Sequence, residues 1–128
     1  MPQFVIHCSE NVMEHQPAEV IMQAVYEVAE ATQLFEEGDI KVRIEPFRYY
    51  QLGGNKKEFI HVFAYIMEGR TTEQKANLSQ KIIERLNEML PEIPILSINI
   101  SEFEWATYSN KSLINPLNEE GNRFFNNK

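Results

Sequence analysis

Apolar residues recur along this chain with two alternating periods, one of strands and one of helices. Residues 3–8 (QFVIHC) form a short strand-like run. Pro17 then takes an early helical position. Ile21, Ala24, Val25, Val28 and Ala29 follow at the spacing of one helix face, with Gln23, Glu27 and Glu30 between them as the solvent side. This helix is expected to end between Leu34 and Gly38. From Asp39 to Tyr50 the sequence DIKVRIEPFRYY alternates. Ile40, Val42 and Ile44 share one face and Lys41, Arg43 and Glu45 the other, until Pro46 interrupts the ladder, so this second strand should bend or end near Pro46. Gly53-Gly54-Asn55 marks a loop and a boundary between two halves.

The second half repeats the plan. Phe59 to Met67 (FIHVFAYIM) has almost no polar residue on either face, which predicts a strand covered on both sides. Thr71 and Gln74 make a capping box for a helix whose inner stripe is Leu78, Ile82, Leu86 and Met89, and Pro91 and Pro94 stop it. Ile95 to Phe103 (ILSINISEF) alternates and supplies a fourth strand. The tail beyond Trp105 carries Tyr108, Leu113, Ile114, Leu117, Phe124 and Phe125, too apolar for a solvated end and too irregular to read as a helix. A tail of this kind is expected to dock on a neighbour.

The order β-α-β, loop, β-α-β predicts two parallel strand pairs, each joined by a right-handed helical crossover, in one four-stranded sheet. Both helices would then cover one face and leave the other for a second copy of the chain. The competing topology is a ferredoxin-like antiparallel sandwich. A single domain over 1–128 is expected, with pseudo-repeats at about 2–50 and 56–104 and a tail at 105–128. The halves resemble each other only faintly, as in Phe4-Val5-Ile6-His7 beside Phe59-Ile60-His61-Val62.

Composition narrows the function classes. The 128 residues are 43% hydrophobic, enough for one real core. Acidic residues outnumber basic ones 19 to 12, a formal charge of -7 with no basic cluster, which argues against a nucleic-acid partner. Cys8 is the one cysteine and cannot form an intrachain disulfide, and no Cys/His pair has metal-ligand spacing. Cys8 falls on the same side as Phe4 and Ile6 and reads as a small core residue. No apolar stretch is long enough to span a bilayer and no secretory leader is visible, so a cytoplasmic protein without a membrane partner is expected.

Pro2 is the most telling position. Removal of Met1 would leave Pro2 as a free secondary amine at the start of the first strand, and burial or nearby cations would lower its pKa toward neutrality and make it a usable base. Alternatively, Pro2 is simply a residue tolerated at a strand start. The start PQFVIHCSEN, the strand IKVRIEP, the junction MEGRTTEQK and the tail TYSNKSLINP together resemble the 5-carboxymethyl-2-hydroxymuconate isomerase family of the tautomerase superfamily. The resemblance implies an α/β (α+β) fold of tandem β-α-β units, assembled as a homotrimer. It also implies that an amino-terminal proline, here Pro2, shuttles a proton in the ketonisation of a dienol from homoprotocatechuate breakdown.

That chemistry takes a small polycarboxylate substrate, one base that later acts as an acid, and no metal or organic cofactor. Its carboxylates and developing dienolate charge call for arginines. Arg43 and Arg70 match the family's pattern. Arg43 lies opposite Ile40, Val42 and Ile44; if those meet the helices, Arg43 points toward the subunit side, for a substrate carboxylate or an acid such as Glu45 of another copy. Arg70 precedes the second helix's cap, where its charge could combine with free backbone N–H groups to hold an anion, or it is a solvated loop residue. Arg48 reads as surface. His7 and His61 read as strand histidines satisfied by neighbours. Tyr108 and Lys111 either complete a pocket across subunits or serve packing and solvent. His7 stands where the family carries an acidic residue and Gln3 where a histidine is common, departures that bear on substrate preference rather than reaction class. Two other functions fit this sequence: another proline-dependent reaction of the superfamily on a keto or enol acid, or a non-enzymatic trimeric binding module, favoured if Met1 is retained.

Overall fold

The computed structural model describes residues 1–114. Four strands, β1 (Gln3–Ser9), β2 (Lys41–Phe47), β3 (Phe59–Met67) and β4 (Ile95–Phe103), form one sheet in the order β2-β1-β3-β4. β1 pairs parallel with β2, β3 parallel with β4, and the two central strands β1 and β3 run antiparallel. The two parallel pairs exclude the all-antiparallel ferredoxin-like alternative.

Helices α1 (Ala18–Ala31) and α2 (Thr72–Met89) connect the strands of each pair. Both lie on the same face. Ile21, Val25 and Ala29 of α1 and Leu78, Ile82 and Leu86 of α2 share one buried cluster with Phe4, Ile6, Cys8, Ile60, Val62 and Ala64. Each strand contributes alternate residues to this cluster, as its pleat requires. Cys8 is fully buried and its thiol is pushed up to about 11 by that burial, as suits a core residue.

Two features differ from the sequence pattern. α1 stops at Ala31, ahead of the predicted 34–38, because Gln33 takes a left-handed conformation with φ 59° while the Thr32 hydroxyl donates to Ala29 O at 2.6 Å. A 3₁₀ turn, Glu37–Asp39, then leads into β2. β2 ends at Phe47, next to Pro46 as expected, and Pro46 is tolerated because an edge strand can place a residue lacking an N–H on its unpaired side. The apolar tail forms a short helix, α3 (Lys111–Ile114); Leu117, Phe124 and Phe125 lie outside the described residues.

The face opposite the helices is only half covered. Val5, His7, Phe47, Phe59, His61, Phe63 and Tyr65 line it at intermediate exposure. β3 is thus sealed on one side within this chain, not on both. His7 and His61 are cross-strand partners there. The His7 ring sits 4.9 Å from both Phe47 and Phe63, and the His61 ring 4.4 Å from Phe63. Asn99 Oδ1 accepts from His61 Nε2 at 2.7 Å and Ser97 Oγ lies 2.6 Å from Nδ1, so His61 is satisfied by its neighbours as expected. Among the described residues no helix is long and apolar enough to cross a membrane, and no cluster of His, Cys, Asp and Glu is arranged to hold a metal ion.

Candidate active site

The amino terminus is held at one end of the sheet. Pro2 is buried, and its carbonyl accepts from the Lys41 N–H at 3.1 Å, continuing the parallel ladder of β1 and β2. Met1 precedes it, so the Pro2 nitrogen in this chain is an amide and the free amine belongs to Met1. Burial holds that amine's pKa below the ordinary α-amino value; Asp39 opposes the shift, and Lys41 and Arg70 add to it.

Beside the amine opens a cavity of about 470 Å³, lined by Met1, Leu34, Phe35, Asp39, Arg70 and Trp105 among others. The left-handed Gln33 turns the chain so that Leu34 and Phe35 reach this end of the sheet. Opposite them, Gly69 at φ 120° makes the turn between β3 and α2 that delivers Arg70, a conformation that favours glycine. Glu68 braces the same turn. Its backbone N–H donates to Phe103 O at 3.0 Å, and its carboxylate accepts from the Trp105 N–H at 2.7 Å.

Arg70 is a fixed part of the cavity wall and not a solvated loop residue. Its Nη2 donates to Leu34 O at 2.5 Å, and its guanidinium carbon lies 5.2 Å from the centre of the Phe35 ring. Burial lowers its pKa, yet an arginine remains charged at any working pH. The capping box is complete: Thr71 N–H donates to Gln74 Oε1 at 2.9 Å and Gln74 N–H to Thr71 Oγ1 at 3.1 Å, so those two amides of the helix start are engaged. The charge at this end of the helix comes from the guanidinium.

Arg43 is not brought to this cavity within one chain. It is exposed in mid-β2, opposite Val5, and the core faces of Val42 and Ile44 turn it to the open side of the sheet as the alternation predicts. Arg48 is a surface residue, 71% exposed, with its Nε 3.8 Å from Glu10. Tyr108 and Lys111 do border the amine, lining a second concavity of about 300 Å³ with Met1, Asp39 and Lys41. The amino terminus therefore stands between two concavities.

Sequence reasoning missed Asp39 and Lys41. Asp39 Oδ2 lies 3.7 Å from the terminal nitrogen, and the Lys41 ammonium lies 3.8 Å from the Met1 sulfur. The signal that would have found them is register: once β1 and β2 are paired in parallel with Gln3 opposite Lys41, the residues just before β2 must flank the chain's start.

Chemically, the end of the sheet offers a half-buried terminal amine, a carboxylate 3.7 Å from it and cations on both sides, groups able to exchange a proton and to attract an anion.

Comparison with known proteins bears on the fold and the family. Among solved structures, a 5-carboxymethyl-2-hydroxymuconate isomerase from Deinococcus radiodurans R1 matches with a TM-score of 0.75 at 23% identity, over 96% of this chain and 93% of that one. A 5-carboxymethyl-2-hydroxymuconate delta-isomerase matches with a TM-score of 0.71 at 17% identity, covering 87% of each chain. A fused 4-OT wild-type protein described as a symmetric trimer gives 0.68 at 15% identity, over 85% of this chain and 93% of that one. A sequence search of curated proteins gives no match. These structural likenesses establish a tautomerase-type α+β fold. The family model for 5-carboxymethyl-2-hydroxymuconate isomerase matches residues 2–116, and with that match the chain belongs to the 5-carboxymethyl-2-hydroxymuconate isomerase family.

Proposed function

We propose that this protein, once Met1 is removed, converts 5-carboxymethyl-2-hydroxymuconate to its 2-oxo-3-ene isomer in homoprotocatechuate breakdown, with Pro2 as the proton carrier. The observation that carries this reading is the buried start of β1 at the mouth of a cavity walled by Arg70. Neutral Pro2 takes the enol proton, the electron pairs shift along the conjugated chain, and the prolinium returns the proton to carbon. Protons and electrons balance within the substrate and one amine, so the scheme calls for no cofactor.

The surroundings favour the deprotonated form of a terminal amine. Burial, with Lys41 and Arg70, holds the Met1 amine below its ordinary pKa against the opposing pull of Asp39, and a Pro2 amine freed by loss of Met1 would meet the same groups. Activity should therefore rise with pH through a value lower than that of a free amino terminus, because the base is the deprotonated form. Arg70 grips one substrate carboxylate. In the homotrimer we propose, the half-covered aromatic face of the sheet meets a second copy, and Arg43, exposed on that face, reaches the substrate bound to a neighbouring copy.

The test is the ultraviolet rate of dienol loss, using protein whose terminus is shown by mass to be Pro2 and a matched form that keeps Met1. Rapid loss of absorbance with the first form, reduced by about 10²- to 10⁴-fold with the second, is the expected result. No acceleration with a verified Pro2 terminus overturns the assignment and moves the protein to another proline-dependent reaction. Equal rates from the two forms would remove Pro2 from the mechanism.

A further inference from the structure

The scheme above gives Asp39 no role, yet no other carboxylate is built so closely around the chain's start among the described residues. Its carboxylate lies 3.7 Å from the Met1 nitrogen, one residue ahead of Pro2, and borders both concavities. Its backbone is held from several directions. Asp39 N–H donates to Glu36 O at 3.0 Å, Asp39 O accepts from Lys41 Nζ at 3.1 Å, and the next residue, Ile40, is anchored in the core. Two residues on, the Lys41 N–H grips Pro2 O. The clamp that fixes Pro2 is thus the same short segment that presents Asp39, and it does not depend on Met1.

We propose that Asp39 is a positioning residue for the Pro2 amine: its carboxylate accepts the single N–H of the neutral amine and so aims the lone pair at the cavity walled by Arg70. The inference rests on the reading of Pro2 as proton carrier. A neutral secondary amine has one N–H and one lone pair in tetrahedral array, so engaging the first fixes the direction of the second. When the enol O–H bond breaks and a new N–H forms, the prolinium carries two N–H bonds. One stays with Asp39, and the other breaks as the C–H bond forms. Asp39 remains a carboxylate throughout, and nothing is oxidised or reduced.

Charge supports the same division. Around the amine, Glu36 and Asp39 come from the connection before β2, Lys41 from β2, Glu68 and Arg70 from the turn before α2, and Lys111 from α3. At the Met1 amine, burial, Lys41 and Arg70 favour the neutral form, whereas Asp39 favours the charged one, and removal of Met1 would leave the Pro2 amine beside the same groups. A base made too weak would not hold the proton it must deliver. Asp39 keeps the amine basic enough to do both.

Two substitutions separate charge from orientation. Asp39→Asn retains an acceptor oxygen and removes the charge; Asp39→Ala removes both. The amine is titrated directly by NMR on protein labelled at proline with ¹³C and ¹⁵N and verified to begin at Pro2, a readout that needs no turnover. In Asp39→Asn the amine should titrate roughly one pH unit lower than in the parent, and the acid limb of kcat/KM should move with it. In Asp39→Ala the same shift should come with a further fall in kcat of about tenfold and little change in KM. An amine titration unchanged in both variants overturns the proposal, because a merely structural role at a turn leaves the amine's proton affinity where it was. If the parent fails to turn over the dienol while the titration still shifts, the reaction assignment falls and the pairing of Asp39 with the amine stands.

Discussion

The two ends of the sheet are built on the same plan and finished differently. At one end β1 and β2 start and β3 and β4 finish; at the other β3 and β4 start and β1 and β2 finish. Each end also receives a turn that leads into a helix. At the first, that turn delivers Arg70 and leaves the cavity beside the amine. At the second, the corresponding residues close on each other. His15 Nε2 meets Glu58 Oε2 at 2.6 Å, Tyr50 donates its hydroxyl to Lys57 O at 2.6 Å, and Asn11 Nδ2 reaches both Tyr50 and Lys57 O at 3.2 Å. The start of β3 is tied as well, Phe59 N–H donating to Ser9 Oγ at 3.1 Å.

What differs chemically is the strand that begins there. β3 starts in mid-chain, where the nitrogen is an amide with no basic lone pair. β1 starts at the chain's own terminus. On the proposed reading, a β-α-β unit used twice has one end that carries a proton and one closed by hydrogen bonds, with polar side chains in a cavity wall at the first and in a hydrogen-bonded plug at the second.

The sharpest test of this contrast compares one arginine from each end. Arg70→Ala removes the cation from the cavity wall and should lower kcat/KM for an anionic dienol by about 10²- to 10³-fold. Arg48→Ala, at the closed end, removes an exposed pair with Glu10 and should leave both turnover and stability unchanged within about 0.5 kcal/mol. Steady-state kinetics on the two variants decides the matter; similar losses in both would erase the distinction between the ends.

Much of this was legible in the sequence because it depends on local periodicity. The strands at 59–67 and 95–103, the capping box and its inner stripe of Leu78, Ile82 and Leu86 follow from patterns within a few residues of each other. The segment 32–40 did not yield in this way. Its helix-like run is cut by a left-handed Gln33, a residue that carries no glycine signal, and its importance comes from lying beside Met1 across a parallel pairing. Asp39 and Lys41 are ordinary charged residues until that register is known. Arg43 shows the converse: alternation gave its face correctly, but a face does not tell what the side chain binds.

A smaller effect should come from the turn that leads into α2. The Thr71 hydroxyl accepts from the Gln74 N–H, whereas α1 begins at Ala18 after Pro17, which offers no side-chain cap. Thr71→Ala should cost about 1 kcal/mol in urea unfolding. Because Arg70 is the adjacent residue, the loss of this cap should also loosen the guanidinium from Leu34 O and raise KM more than it lowers kcat. A full loss of stability with unchanged KM would mean that Arg70 is held by Phe35 and Leu34 alone.

The smallest effect is expected at the plug. His15→Ala breaks the contact with Glu58, a pair whose side chains are 33% and 19% exposed. Solvent screens such a pair, so the loss should be below about 1 kcal/mol, and Glu58, near the surface, can regain water. Turnover should not change, since the cavity lies at the opposite end of β1 and β3. The informative readout is hydrogen exchange. Faster exchange confined to the amides around Phe59 and the 3₁₀ turn at Glu10–Glu14 would show that the plug acts only on its own end. Faster exchange at Gln3 and Lys41 as well would show that closing one end helps to hold the amine in place at the other, and the two ends would then have to be treated as one coupled device.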